Sequence, residues 1–432
     1  MTTATEKKLN RKKAPAIKDA VEYNLQLRPY QLHTLSNGVK VYAINAGAED
    51  VLMLECVFKA GNFFESQNLV AATTNFMLKN GTSTKTAFQI NEHFEYHGAY
   101  LNRASQNERA TLTLHCLGKH VSALLPVMAE LLQDSVFPEE ELAIYKQNMR
   151  QRLNVNLKKC DFVASRLIDA YVYGEQHPYG RFTRFEDFEA LHREQVVDFY
   201  NKYYRQGDWC IFAAGKLPDD LIQQLEATMG KLPYKPVDIP KLAVAPAGEK
   251  KHRIINDPAG VQGAVRMAAP LPQGRHHPQF MQLQVLNNLF GGFFGSRLMG
   301  NIREDKGYTY GIYSYLENHP HESAWVVSTE AGRNVCEATV AEVYKEMQVL
   351  RDKEVDAAEL SLVQNYMMGL ILGDLDGPFQ IINRWKNIIL NELPEDYFDQ
   401  QIQTIKSITT QQVQALAQEH LLPEKFYELV VV

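Results

Sequence analysis

The 432-residue sequence is longer than one ordinary domain and suits two of about 200 residues each. Its 45% hydrophobic residues can fill two cores, and its 22% charged residues suit a solvated surface. A net charge of −6 argues against the basic face of a nucleic-acid binder, and no apolar run approaches the roughly 18 residues of a membrane span.

Taken in chain order, residues 1–27 begin with a basic stretch containing Lys7, Lys8, Arg11, Lys12 and Lys13. No apolar core follows it, so it does not read as a secretory signal. It reads as a disordered polar tail, with mitochondrial targeting as the open alternative and a cytoplasmic location as the default. Residues 28–232 form the first expected domain. HTLSNGVKVYAI carries an Asn37-Gly38 turn between apolar runs, a hairpin signal. VLMLECVFKA follows as a strand, then helical patterns, then ATLTLHCL, whose alternation suits a half-buried strand. Long amphipathic helices come next, ending with LHREQVVDFYNKYY before the strand-like WCIFAAG.

Pro233, Pro236, Pro240 and Pro246 mark residues 233–249 as an extended linker. Residues 250–432 then repeat the first plan. AWVVSTEA stands where ATLTLHCL stood, and ITTQQVQALAQEHL precedes FYELVVV as LHREQVVDFYNKYY precedes WCIFAAG. Gln195-Val196 recurs as Gln412-Val413 and Trp209 as Phe426, each about 217 residues on; Glu141-Leu142 recurs as Glu359-Leu360 at nearly the same offset. The expectation is an α+β protein of two homologous domains. Each would be an antiparallel sheet with helices packed mainly on one face, the pair arising by internal duplication. Strict βαβ alternation is absent, which argues against a doubly wound parallel sheet. The five cysteines, Cys56, Cys116, Cys160, Cys210 and Cys336, are odd in number and widely spaced, which predicts free thiols in a reducing compartment.

Several segments in order, LSNGVKVYAI, FKAGNFFES, NFMLKNGTSTKT, EQHPYGRF, IFAAG and LFGGFFGSRLMGNIREDKGYTYGIYS, resemble the pitrilysin/insulinase family of zinc peptidases. The likeness spans nearly everything after about residue 28. Active members carry H-x-x-E-H on a helix just before the segment matching Gly81-Thr82. Two His one turn apart hold zinc there, and the Glu activates water. The matching residues here are Ala72, Thr73, Thr74, Asn75 and Phe76. Ala72 and Phe76 have no donor atoms, and the Asn75 amide is no base. The family's third ligand is a Glu about 75–80 residues farther on, but Gln147–Leu157 contains neither Asp nor Glu. The resemblance therefore implies a zinc-site-deficient member with no cofactor of its own.

The family also uses an Arg and a Tyr from its C-terminal half near the substrate, and the matching residues are Arg303 and Tyr310 in NIREDKGYTYG. A guanidinium and a phenol can both donate hydrogen bonds to a substrate carbonyl or its oxyanion; a surface Arg and a sheet-packing Tyr is the plainer reading. Some members work as heterodimers, so the likeness implies a non-catalytic subunit beside a zinc-bearing homologous peptidase subunit, with peptide as substrate. A structural or peptide-binding pseudopeptidase without a protease partner is the alternative, and a homodimer is possible. Other signals are weaker. His93 and His97 flank Glu95 without the H-x-x-E-H order, and His276-His277 adjoin Pro278 in a loop. GGFFGSR lacks the ending of a P-loop, and Cys160 has no nearby His to activate it.

Overall fold

The computed structural model describes residues 18–432. The first half runs β1 (Gln31–Thr34), β2 (Lys40–Asn45), β3 (Val51–Phe58), α1 (Val70–Met77), α2 (Ala87–Tyr96), β4 (Tyr100–Ser105) and β5 (Ala110–Leu117). It continues with α3 (Val121–Asp134), α4 (Glu139–Asn156), α5 (Cys160–Tyr173), α6 (Phe185–Ala190), α7 (Arg193–Tyr203), β6 (Trp209–Gly215) and α8 (Leu221–Thr228). The second half holds β7 (Lys251–Ile254), β8 (Gln262–Pro270), α9 (Phe280–Asn287), β9 (Thr309–Asn318) and β10 (Ser323–Gly332). After these come α10 (Cys336–Asp352), α11 (Ala357–Gly373), α12 (Pro378–Leu390), α13 (Tyr397–Ser407), α14 (Thr410–His420) and β11 (Tyr427–Val431).

The expected hairpin forms: β1 and β2 pair antiparallel, and Gly38 takes the left-handed φ of +94° that the tight turn requires. Asn37 fastens this turn by donating to the Met229 and Leu232 carbonyls at 2.9 and 2.7 Å. Capping boxes start α2 (Thr86 with Gln89) and α14 (Thr409 with Gln412), satisfying amides that a helix N-terminus leaves free.

The first sheet has the order β1-β2-β6-β3-β5-β4, the second β7-β11-β8-β10-β9. Pairing is antiparallel except for one parallel pair in each, β2 with β6 and β7 with β11. The duplication expected from sequence is thus repeated in topology: in both sheets the last strand of the half inserts beside an early one, and the β4/β5 and β10/β9 hairpins end the sheet.

One face of the first sheet is covered by helices of its own half, where Val41, Ala43, Leu54 and Ile211 join residues of α1, α3, α7 and α8. Its other face is covered from outside. Tyr42, Ile44, Phe212 and Ala214 pack with Ile381, Ile382, Trp385 and Ile388 of α12. The second sheet does the converse: Ala264, Ala268, Val326 and Leu429 pack with Val163, Ala164, Ile168 and Val172 of α5. The halves therefore exchange a helix, and α5 and α12 occupy equivalent places in the repeat. Burying such side chains contributes about 1.5–3 kcal/mol each, so the halves are joined by a shared core. Each exchanged helix also forms an ion pair with a buried charge of the sheet it covers. Lys386 of α12 meets Glu55 of β3 at 2.6 Å, and Asp161 of α5 meets Arg266 of β8.

Residues 233–249 contain no regular element. They run extended, with Lys235 donating to the Gly207 carbonyl and the Ala245 and Ala247 amides donating to Tyr173 and Tyr171. The disordered tail expected over residues 1–27 needs correction at its end. Residues 1–17 lie outside the described residues, but Ala20–Glu22 form a turn of 3₁₀-helix and Leu25 is buried in the core shared by both halves. The Val21 amide donates to Asn365 of α11 at 3.2 Å. The basic run upstream masked a short apolar stretch, Ala20, Val21, Leu25 and Leu27, that can be buried. No helix among the described residues is long and apolar enough to cross a membrane.

Candidate functional site

Helix α1 presents two residues to solvent, Ala72 and Phe76, four apart on one face, while Thr73, Thr74 and Asn75 are buried. That face borders an open groove of about 590 Å³. Strand β4, at the edge of the first sheet, forms one wall, and Tyr145, Met149 and Arg152 of α4 form another. The structure thus places the Ala72–Phe76 segment and the Gln147–Leu157 segment, far apart in sequence, on one cavity. Asn75 donates its side-chain amide to the Thr111 carbonyl of β5 at 3.2 Å, which ties α1 to the sheet.

Zinc does not fit this groove. Among the described residues its lining contains no His, Cys, Asp or Glu, and Phe76 lies against Tyr145 with ring centroids 4.6 Å apart. Three cations, Lys79, Arg103 and Arg152, stand where a divalent ion would need anionic or neutral donors. The Arg103 guanidinium lies over the Phe76 ring at 4.5 Å. Burial pushes Arg103 down from the usual arginine range, and burial followed by repulsion from Arg103 pushes Lys79 down. Sequence reasoning missed this cluster because its members come from three separate elements and only the fold gathers them.

Arg303 lies in a π-helical segment, Met299–Asp305. Its side chain is half-buried, with the guanidinium 4.4 Å over the Phe294 ring. Tyr310 is the second residue of β9, the edge strand of the second sheet, and follows the Gly307 turn at φ +65°. At 93% exposure it packs against no sheet, so the plainer reading of a sheet-packing tyrosine fails. Neither residue lines the α1 groove, whose walls all come from residues 72–152. The two halves do share a pattern: each edge strand has an exposed tyrosine at or next to its first residue, Tyr100 or Tyr310, and each half has an arginine stacked on a phenylalanine.

The remaining candidates have structural explanations. His93 and His97 are on α2 and at its C-cap, and their ring nitrogens contact the Ala123 and His93 carbonyls at 3.0 and 2.8 Å. His277 accepts from the Gln279 amide at 3.2 Å beside the α9 start. All five cysteines are free, and burial pushes Cys56, Cys116, Cys160, Cys210 and Cys336 upward, away from thiolate character. A second cleft of about 660 Å³ lies where the halves meet, lined by Glu55, Glu108, Arg109, Arg275, His319 and Lys386 among others.

Comparison with known proteins identifies the family. Residues 40–180 match the model described as insulinase (peptidase family M16), and residues 190–367 match the one described as the peptidase M16 inactive domain. The chain belongs to peptidase family M16. It is 23% identical over 400 residues to an uncharacterized zinc protease of Bacillus subtilis, covering 90% of this chain and 94% of that protein. It is 24% identical over 240 residues to a probable mitochondrial-processing peptidase subunit beta of Arabidopsis thaliana, covering 54% of this chain and 43% of that protein. A crystal structure described as a peptidase M16 inactive domain from Pseudomonas fluorescens superposes with a TM-score of 0.81 at 23% identity, over 93% of this chain and 98% of that one. As an M16 member this chain has the family's two-sheet architecture, with Ala72, Asn75 and Phe76 on the helix that faces the first-half groove.

Proposed function

We propose that this M16 chain is the non-catalytic subunit of a heterodimeric zinc peptidase, its own zinc site lost, and that it contributes Arg303 and Tyr310 to a homologous partner's active site. The observation that carries this reading is the contrast between the two halves. Among the described residues the first-half groove is lined by no His, Cys, Asp or Glu, whereas the second half presents Tyr310 at a free sheet edge with Arg303 seven residues before it.

The partner's zinc supplies Lewis-acid and water-activating chemistry. This chain's part is to hold the peptide and to stabilise charge on it. The Arg303 guanidinium and the Tyr310 hydroxyl donate hydrogen bonds to the carbonyl under attack, and those bonds strengthen as negative charge develops on its oxygen. Stacking on Phe294 limits the conformations open to Arg303, so less entropy is lost when it engages substrate. A peptide bound as an added strand is recognised chiefly through its backbone, which gives broad sequence tolerance.

The test is purification from the native source followed by metal analysis of each separated chain. The reading expects a homologous H-x-x-E-H chain to co-purify with this one and to carry the zinc. Zinc bound stoichiometrically by this chain alone would overturn it.

A further inference from the structure

The groove between α1, β4 and α4 has a charge pattern that no lost metal explains. Lys79, Arg103 and Arg152 line it together, and among the described residues no carboxylate does. Among the described residues none of the three takes part in an ion pair, and the hydrogen bond that Lys79 makes, at 3.3 Å, runs to the Leu101 carbonyl of β4. Glu95 offsets some of the charge on Lys79, but from α2, outside the groove lining. Arginines in folded proteins usually meet a carboxylate or a carbonyl; here Arg103 is half-buried against Phe76 with no hydrogen-bond acceptor among the described residues. Like charges held together at a partly buried site are costly, and an incoming anion relieves that cost.

The shape of the site limits what the anion is attached to. Among the described residues strand β4 pairs only with β5, so apart from the Leu101 carbonyl its other edge offers unpaired backbone groups. An extended peptide can extend the sheet there. Phe76, Tyr145 and the exposed ring of Tyr100 form aromatic walls for its apolar side chains. We propose that the former metal groove is a binding site for extended peptides bearing a carboxylate, which Arg103, Arg152 and Lys79 take up in place of a metal's charge. The site belongs to this chain alone, so it stands or falls independently of any partner subunit.

The experiment uses the purified full chain and fluorescently labelled pools of short random-sequence peptides, with binding read by anisotropy. One pool has two central glutamates and an amidated C-terminus, a second has glutamines in their place, and a third has the glutamines and a free C-terminus. The expected result is that at least one carboxylate-bearing pool binds roughly tenfold more tightly than the amidated glutamine pool, as charge-assisted bonds imply. Which pool prevails distinguishes a side-chain carboxylate from a terminal one. Salt should weaken the preference. Arg103→Met and, separately, the exposed Arg152→Gln should reduce it while leaving the melting temperature near that of the parent; Arg152→Gln serves if the Arg103 variant folds poorly. Equal binding of all three pools, absence of binding, or an undiminished preference in Arg152→Gln and a folded Arg103→Met would overturn the proposal.

Discussion

Glu55 and Lys386 show how single residues hold this molecule together. Glu55 is a buried carboxylate on a central strand, accepts from Lys386 at 2.6 Å and also meets Thr113 at 3.3 Å. Removing one partner of such a pair leaves the other charge buried and uncompensated. Lys386→Met should therefore lower unfolding free energy by about 3–5 kcal/mol in denaturant titration, and the double variant with Glu55→Gln should recover much of the loss. Asp169 predicts a pH effect. Burial and then the charge of Glu317 push its carboxyl up to about 8, Arg266 opposing them. The folded protein holds a proton there that the unfolded chain releases near pH 4, so stability falls as pH rises from about 4 to 8. Asp169→Asn should flatten that part of the melting-temperature profile; an unchanged slope would assign it to other groups. At this scale the sequence revealed what was missing more readily than what had been gained. Ala72, Asn75 and Phe76 were identified by alignment to one motif. Lys79, Arg103 and Arg152 belong to no motif and meet only in three dimensions.

Among the elements, the exchange of α5 and α12 joins the halves most directly. Amphipathic patterning predicted long helices with an apolar face in each half, without marking out these two. It could not say which sheet that face meets, because amphipathic spacing specifies burial without naming the partner. Trp385 of α12 makes the point concrete. It packs edge-on against Tyr30 at 4.9 Å, and its indole N–H donates to the Arg28 carbonyl at 2.7 Å, all in the other half. Trp385→Ala should cost about 3–5 kcal/mol, and it should destabilise both halves in one cooperative transition, as calorimetry would show. Two separate transitions, with only the second half affected, would contradict the exchange. The hairpin at Asn37-Gly38 and the strands β6 and β11 were legible because turn chemistry and alternation act locally. The segment that holds Arg303 is π-helical, a backbone winding that residue spacing does not encode.

For the whole molecule, the duplication was visible as a nearly constant offset between matching residues, and both sheets repeat it down to their single parallel pair. The linker, by contrast, suggested two bodies joined by a strand of chain, whereas the shared core makes them one. Limited trypsin cleavage at the exposed Lys241 should therefore leave fragments that still co-elute in size-exclusion chromatography; free halves would contradict the shared core. The same architecture keeps Arg303 and Tyr310 out of the first-half groove, so the proposed function calls for a second chain to meet them. The decisive measurement is peptide hydrolysis by this chain, by a homologous zinc-bearing subunit, and by their mixture. Little or no turnover is expected from this chain alone and full turnover from the mixture, with Arg303→Ala or Tyr310→Phe lowering kcat by about 10²–10³ without preventing assembly. Turnover by this chain alone, or a mixture indifferent to both substitutions, would contradict the account.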